Sequence, residues 1–209
     1  MEKPLKARAR QLGLGTLLVK DESKRFGLNA FKVLGGSYAR ALKRFGFHVS
    51  AVTLDQSSVD YALNEGIIDE GSAFLDEKLI GEADLVIFAL YPHVFVEWIE
   101  KNQRLFKSGA LITDVTGVKR SIVYRIQDML RPDVEFVAAH PMAGREVSGV
   151  ENSTDKLFIG ANYIVTPTEK NSDEAVELCR ELGNVLGFGR VTVLSVTEHD
   201  EMIAYLSQL

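Results

Sequence analysis

Short apolar runs alternate with longer amphipathic stretches along most of this chain. Leu17–Lys20, Val49–Leu54, Leu85–Leu90, Ala110–Thr113, Val134–Ala139, Ala161–Thr166 and Arg190–Leu194 are mainly apolar. Runs of about four to six such residues read as strands covered on both faces. Between them, apolar positions recur at helical spacing over Leu34–Phe45, Ser57–Asn64, His93–Leu105, Val118–Leu130, Ser172–Leu186 and Thr197–Leu209. Gly46 is placed to stop the first of these helices, and Pro4–Leu12 predicts one more short helix near the start. Strands separated by helices predict an α/β fold: a doubly wound, mostly parallel sheet of the Rossmann type. No proline- or serine-rich linker interrupts the alternation, so residues 1–209 are expected to form a single domain.

Composition narrows the function. The chain has 209 residues and a formal net charge of −5, with no basic run or aromatic-interleaved basic patch. That argues against nucleic acid as a partner. The lone cysteine, Cys179, falls among apolar positions of an expected helix and reads as a buried thiol. No apolar segment reaches the roughly 18 residues of a membrane span, and no charged-then-apolar leader opens the chain, so a soluble cytoplasmic protein is expected.

Chemistry concentrates where strands end. Val134–Ala139 runs into His140-Pro141-Met142-Ala143-Gly144, which delivers an imidazole to the carboxyl edge of the sheet, where open α/β folds bind ligands. A surface histidine before a proline-initiated turn is the competing explanation. Asp55 ends another strand and follows Gly35 at the interval expected of a ribose-binding carboxylate. Its alternative role is a helix N-cap.

His140–Gly144, with Arg145-Glu146, Ser148-Gly149-Val150 and Glu151, resembles the signature of the prephenate dehydrogenases. The resemblance extends through His48–Asp55, Asn64–Glu70, Ala83–Pro92, Asp114–Lys119, Gly160–Thr168 and Glu198–Asp200, covering about residues 33–209. It implies NAD(P)-dependent oxidative decarboxylation of prephenate, or of its amino analogue arogenate. His140 would be the catalytic hydrogen-bond acceptor. Gly35, Gly36, Asp55, Ala89, Tyr91, Pro92 and Asp114 would bind the cofactor, and Arg145, Glu146, Ser148 and His199 the substrate. No metal enters. Many relatives carry a serine where this chain has Gly117, so Thr116 is the expected source of a catalytic hydroxyl. No arginine follows Asp55 to take a 2′-phosphate, which favours NAD over NADP. The family continues into an all-helical domain that supplies most contacts of its homodimer, and the chain ends at Leu209 before that domain.

The opening differs. Val19–Lys32 resembles the pyridoxal-phosphate segment of the diaminopropionate ammonia-lyases, in which Lys32 would form the Schiff base. The rest of that cofactor site has no counterpart downstream, which argues against pyridoxal phosphate here. Aligned on the dehydrogenase glycine loop, Gly35 and Gly36 match its last two glycines, but the first two positions hold Ala30 and Lys32. A lysine at the middle position obstructs backbone approach to phosphates. Alternatively, Leu17–Lys20 is the first strand and Asp21–Phe31 an enlarged loop, with Lys32 meeting phosphate as a cation. Weakened cofactor binding is the expectation. Three functions compete: a dehydrogenase, a pyridoxal-phosphate lyase, and a folded module without turnover.

Overall fold

The computed structural model describes residues 15–21, 30–144 and 149–206, with the backbone alone for residue 21 and residues 30–32. The expected helix at Pro4–Leu12 lies outside the described residues. The elements run β1 (Thr16–Asp21), α1 (Ala30–Arg44), β2 (His48–Thr53), α2 (Gln56–Asn64), β3 (Glu70–Ser72), α3 (Glu77–Glu82), β4 (Leu85–Ala89) and α4 (Pro92–Asn102). They continue with β5 (Leu111–Asp114), α5 (Val123–Met129), β6 (Glu135–Phe136), β7 (Ala138–Pro141), β8 (Asn162–Thr166), α6 (Asp173–Leu186), β9 (Arg190–Val193) and α7 (Val196–Leu206).

Six strands form a wholly parallel sheet in the order β3-β2-β1-β4-β5-β6, the doubly wound Rossmann arrangement. Its inner strands are largely apolar because both faces are covered. Leu17, Val19, Leu85 and Ile87 face Tyr38, Leu42, Cys179 and Leu182 of α1 and α6. Leu18, Val86, Phe88 and Ile112 face Phe95, Trp98 and Ile99 of α4 and Ile126 of α5. Cys179 is fully buried, as expected, and burial pushes its thiol up to about 12.

Val134–Ala139, expected as one strand, divides between two sheets. Val137 N–H still donates to the Ile112 carbonyl (3.0 Å), but Ala139 N–H donates instead to the Asp114 carboxylate (3.0 Å). β7 then leads a second sheet, β7-β8-β9, antiparallel to β8. Residues 136–139 are buried on both sides of the break, so the apolar pattern carries no sign of it.

β1 comes from the lyase-like opening, yet it holds the centre of the main sheet between β2 and β4. Its start is pinned by Asp84, whose Oδ2 accepts from Gly15 N–H and Thr16 N–H, both at 3.0 Å. The strand ends at Asp21, and α1 begins at Ala30, with residues 22–29 between them. Leu17–Lys20 thus lies in the first strand, the helix starts at Ala30 and not at the expected Leu34, and residues 22–29 lie outside the described residues. Lys32 falls in the first turn of α1.

Candidate active site

The carboxyl ends of β1, β2, β4 and β5 open onto one edge, where the strand order reverses. The glycines that matched the cofactor loop lie within α1. With Val19, Ala39, Val52, Ile67 and Val150, Gly35 and Gly36 wall an apolar cavity of about 40 Å³. A Cβ on Gly36 would stand 2.8 Å from Ser153 Cβ, so glycine permits close packing of α1 on the turn Val150–Asn152. Arg40 Nε donates to Ser153 Oγ (2.9 Å) and Thr154 N–H to Ser37 Oγ (3.1 Å), fixing that contact.

Asp55 stands just past β2 at the N-cap position of α2, but its side chain caps no backbone N–H. Its two oxygens instead accept from Ser57 Oγ (2.8 Å) and Ser58 Oγ (2.7 Å), which orient the carboxylate. Ala89 and Leu90 are buried at the end of β4, next to β1, and Tyr91-Pro92 starts α4 with proline in its first turn.

Asp114 ends β5 fully buried and faces an equally buried Lys119. Lys119 Nζ donates to both carboxylate oxygens (3.0 and 2.8 Å), to Thr116 Oγ1 (3.2 Å) and to the Ala139 carbonyl (2.6 Å). Thr116 N–H (3.0 Å) and Ala139 N–H (3.0 Å) complete the carboxylate's partners, with the Thr116 hydroxyl against Oδ2. This buried ion pair joins the loop after β5 to the strand bearing His140. It also absorbs two expected site residues. The Asp114 carboxylate takes part in the pair, and the Thr116 hydroxyl is inaccessible and committed to Asp114, Lys119 and the Val118 carbonyl. Position 117 looks toward the imidazole instead: a Cβ on Gly117 would lie 3.6 Å from His140 Nε2.

His140 is partly exposed on β7. Its Nδ1 is 2.9 Å from Nε2 of His199, whose Nδ1 is 2.7 Å from Asp200 Oδ1. The Asp200 carboxylate also accepts from Lys119 N–H (3.1 Å) and Arg120 N–H (2.9 Å). Burial, then the Lys119 cation and His199, lower the His140 pKa to about 4, so the ring is neutral at neutral pH. Burial likewise lowers His199, against the pull of Asp200. For Asp200, burial raises the pKa, but the hydrogen bonds from Arg120, His199 and Lys119 outweigh it and hold the carboxyl below its usual range.

His199, expected to touch substrate, is fully buried behind His140. Arg145, Glu146 and Ser148 lie outside the described residues, as does the side chain of Lys32. Lys119 and Asp200 were not singled out from sequence. Their signal was the spacing of three acids and a lysine in Asp114–Lys119 and Glu198–Asp200, which does not reveal burial. Among the described residues, no cluster of histidine, cysteine or carboxylates could hold a metal, and no helix is long and apolar enough to cross a membrane.

Residues 38–192 match the family model of the prephenate dehydrogenase nucleotide-binding domain. Prephenate dehydrogenase of Bacillus subtilis is 30% identical over 179 residues, which cover 84% of this chain and 47% of that protein. The chain thus spans about half the length of the curated dehydrogenases it matches. Among solved structures, Synechocystis arogenate dehydrogenase superposes with a TM-score of 0.79 at 26% identity, covering 92% of this chain and 64% of that one. Aquifex aeolicus prephenate dehydrogenase in complex with hydroxyphenyl propionate and NAD+ gives 0.78 at 30% identity, covering 90% and 63%. The opening region matches diaminopropionate ammonia-lyase of Escherichia coli, 50% identical over 58 residues, 27% of this chain and 15% of the lyase.

Proposed function

This chain belongs to the prephenate dehydrogenase family, of which it carries the nucleotide-binding domain, and we propose that it binds NAD+ for the oxidative decarboxylation of prephenate to 4-hydroxyphenylpyruvate in tyrosine biosynthesis. The residues at the sheet edge suit that cofactor. Asp55, oriented by two serines, has the place and charge to take a ribose diol and to repel a 2′-phosphate. Thr53 and Ser58, its neighbours, line the apolar cavity beside α1. Ala89, Tyr91 and Pro92 bring the backbone of the β4–α4 turn to the same edge.

When bound, the nicotinamide supplies the acceptor for the hydride lost from ring C4 of prephenate. His140 accepts a hydrogen bond from the C4 hydroxyl and takes its proton as ketone character develops there. Carbon dioxide leaves from the carbon para to C4, its bonding pair makes the ring aromatic, and His140 returns the proton to the phenolic oxygen. The buried Asp114–Lys119 pair holds β7 against the loop after β5 and so fixes where the imidazole stands. Arg145, Glu146 and Ser148 follow His140 in the chain and are our candidates for the two carboxylates of the substrate and the mouth of its site. A cytoplasmic location, with no nucleic-acid partner, goes with this reading.

The observation that carries the proposal is a partly exposed imidazole on β7 of the second sheet, held beside the carboxyl end of β5 of the Rossmann sheet by the Asp114–Lys119 pair. The test is prephenate-dependent formation of reduced nicotinamide by the chain and by His140→Asn. The substitution is expected to lower turnover about 10²–10⁴-fold, the usual worth of a positioned acid–base group, with little change in NAD+ affinity. Equal turnover in the two proteins removes His140 from the mechanism. A second reading, a nucleotide-binding module without turnover, is favoured by lysine in the place of the middle glycine.

A further inference from the structure

We propose that His199 and Asp200 are positioning residues that set the tautomer of His140, placing its proton on Nδ1 and leaving the Nε2 lone pair free as the acceptor. The inference rests on the dehydrogenase reading for its purpose but not for its geometry.

The two oxygens of Asp200 accept from backbone N–H groups of Lys119 and Arg120 at 3.1 and 2.9 Å, an arrangement that only acceptors satisfy. The 2.7 Å contact from Oδ1 to His199 Nδ1 therefore requires a proton on that nitrogen. His199 is wholly buried, which disfavours its doubly protonated, charged form. In the neutral ring, a proton on Nδ1 leaves a lone pair on Nε2. The nitrogen 2.9 Å away, His140 Nδ1, must then be the donor. A neutral His140 that spends its one ring proton on His199 has a bare Nε2, the atom that faces position 117.

The consequence is chemical. An unconstrained neutral histidine prefers its proton on Nε2, the tautomer in which this ring could only donate toward a ligand hydroxyl. The hydrogen bond made by one ring nitrogen determines the state of the other. Here the chain Asp200–His199–His140 reverses the intrinsic preference before any ligand arrives. As His140 gains a proton in the reaction, its Nδ1–H still donates to His199, so the acceptor pathway stays intact. Gly117 contributes no side chain to compete for Nε2.

Two-bond nitrogen–proton NMR spectra of the full chain, labelled with ¹⁵N-histidine, test this directly. At pH 7 the His140 ring is expected as the Nδ1–H tautomer. His199→Gln keeps an amide oxygen to accept from His140 and an amide N–H to donate to Asp200, and is expected to retain that tautomer. His199→Leu removes the acceptor and is expected to shift His140 to mainly Nε2–H, with turnover at least about 10-fold lower and KM for NAD+ unchanged. A wild-type His140 found as Nε2–H overturns the proposal, whether or not the leucine variant folds. So does an unaltered tautomer in His199→Leu. The spectra need neither NAD+ nor prephenate, so an Nδ1–H ring in a protein without turnover sinks the enzymatic reading and leaves the relay standing.

Discussion

Replacing Lys119 with methionine probes the joint between scaffold and site. The substitution removes Nζ and its bonds to both Asp114 oxygens, Thr116 and the Ala139 carbonyl. It leaves a carboxylate with no solvent exposure. Removing one partner of a buried ion pair typically costs about 3–5 kcal/mol, because the remaining charge is uncompensated. Three donors stay on Asp114: Ala139 N–H, Thr116 N–H and the Thr116 hydroxyl. They place the expected loss at the lower end, about 3 kcal/mol, against a total stability of roughly 5–15 kcal/mol for a domain. With a urea slope of about 2 kcal/mol/M, the unfolding midpoint should fall by about 1.5 M. The same change removes the cation that, after burial, most depresses the His140 pKa. That pKa should rise from about 4 toward 6.5, stopping short because burial persists. Urea titration and NMR pH titration of His140 measure the two effects. A midpoint within about 0.3 M of wild type, or a His140 pKa that stays put or falls, refutes the reasoning.

Further predictions concern pH, packing and cofactor choice. Unfolded His140 binds a proton near pH 6.5 and the folded ring near 4, so between these values the unfolded state binds more protons. Stability should fall as pH drops through that window, by at most about 3 kcal/mol, and His140→Asn should flatten the dependence in denaturant unfolding at stepped pH. Asp200, held below its usual pKa, adds a loss in the same direction at lower pH. Gly36→Ala places a methyl 2.8 Å from Ser153 Cβ and should cost about 1–3 kcal/mol of stability by overpacking; a thermal midpoint equal to wild type counts against tight seating of α1 on that turn. Asp55→Ala should weaken NAD+ binding about 10-fold and narrow the preference over NADP+, read by calorimetry; an undiminished preference removes Asp55 from cofactor choice.

The strands of the main sheet were legible because burial on both faces demands continuous apolar runs. Leu85–Leu90 and Val49–Leu54 each appear within a residue of their expected bounds. β3 was not, because Glu70-Gly71-Ser72 pairs with β2 through its backbone and has no apolar side chain to announce it. The break at Val137 was invisible for the opposite reason: every residue around it is buried, so periodicity cannot tell one sheet from two. α5 proved shorter than Val118–Leu130 because Lys119 is drawn inward to Asp114 and Arg120 N–H is taken by Asp200, which delays regular helix to Val123. At the site, His140 was readable from the apolar run before it, although it lies within β7 and not past a strand's end. The role of His199 was not, since a buried polar partner and a substrate ligand look alike in Glu198-His199-Asp200. The Thr116 hydroxyl turns away from the expected catalytic position for a similar reason: which of two adjacent loop residues faces inward depends on Lys119, five residues from Asp114 and brought to it only by folding.

A nicotinamide bound beside His140 is measured most directly by titrating NAD+ into the ¹⁵N-histidine-labelled chain, with calorimetry in parallel. Saturable heat should accompany a shift of the His140 ring resonances, with NAD+ binding more tightly than NADP+, while His48 at the opposite end of β2 stays unmoved. Absence of heat, or saturable binding that leaves His140 untouched, contradicts it.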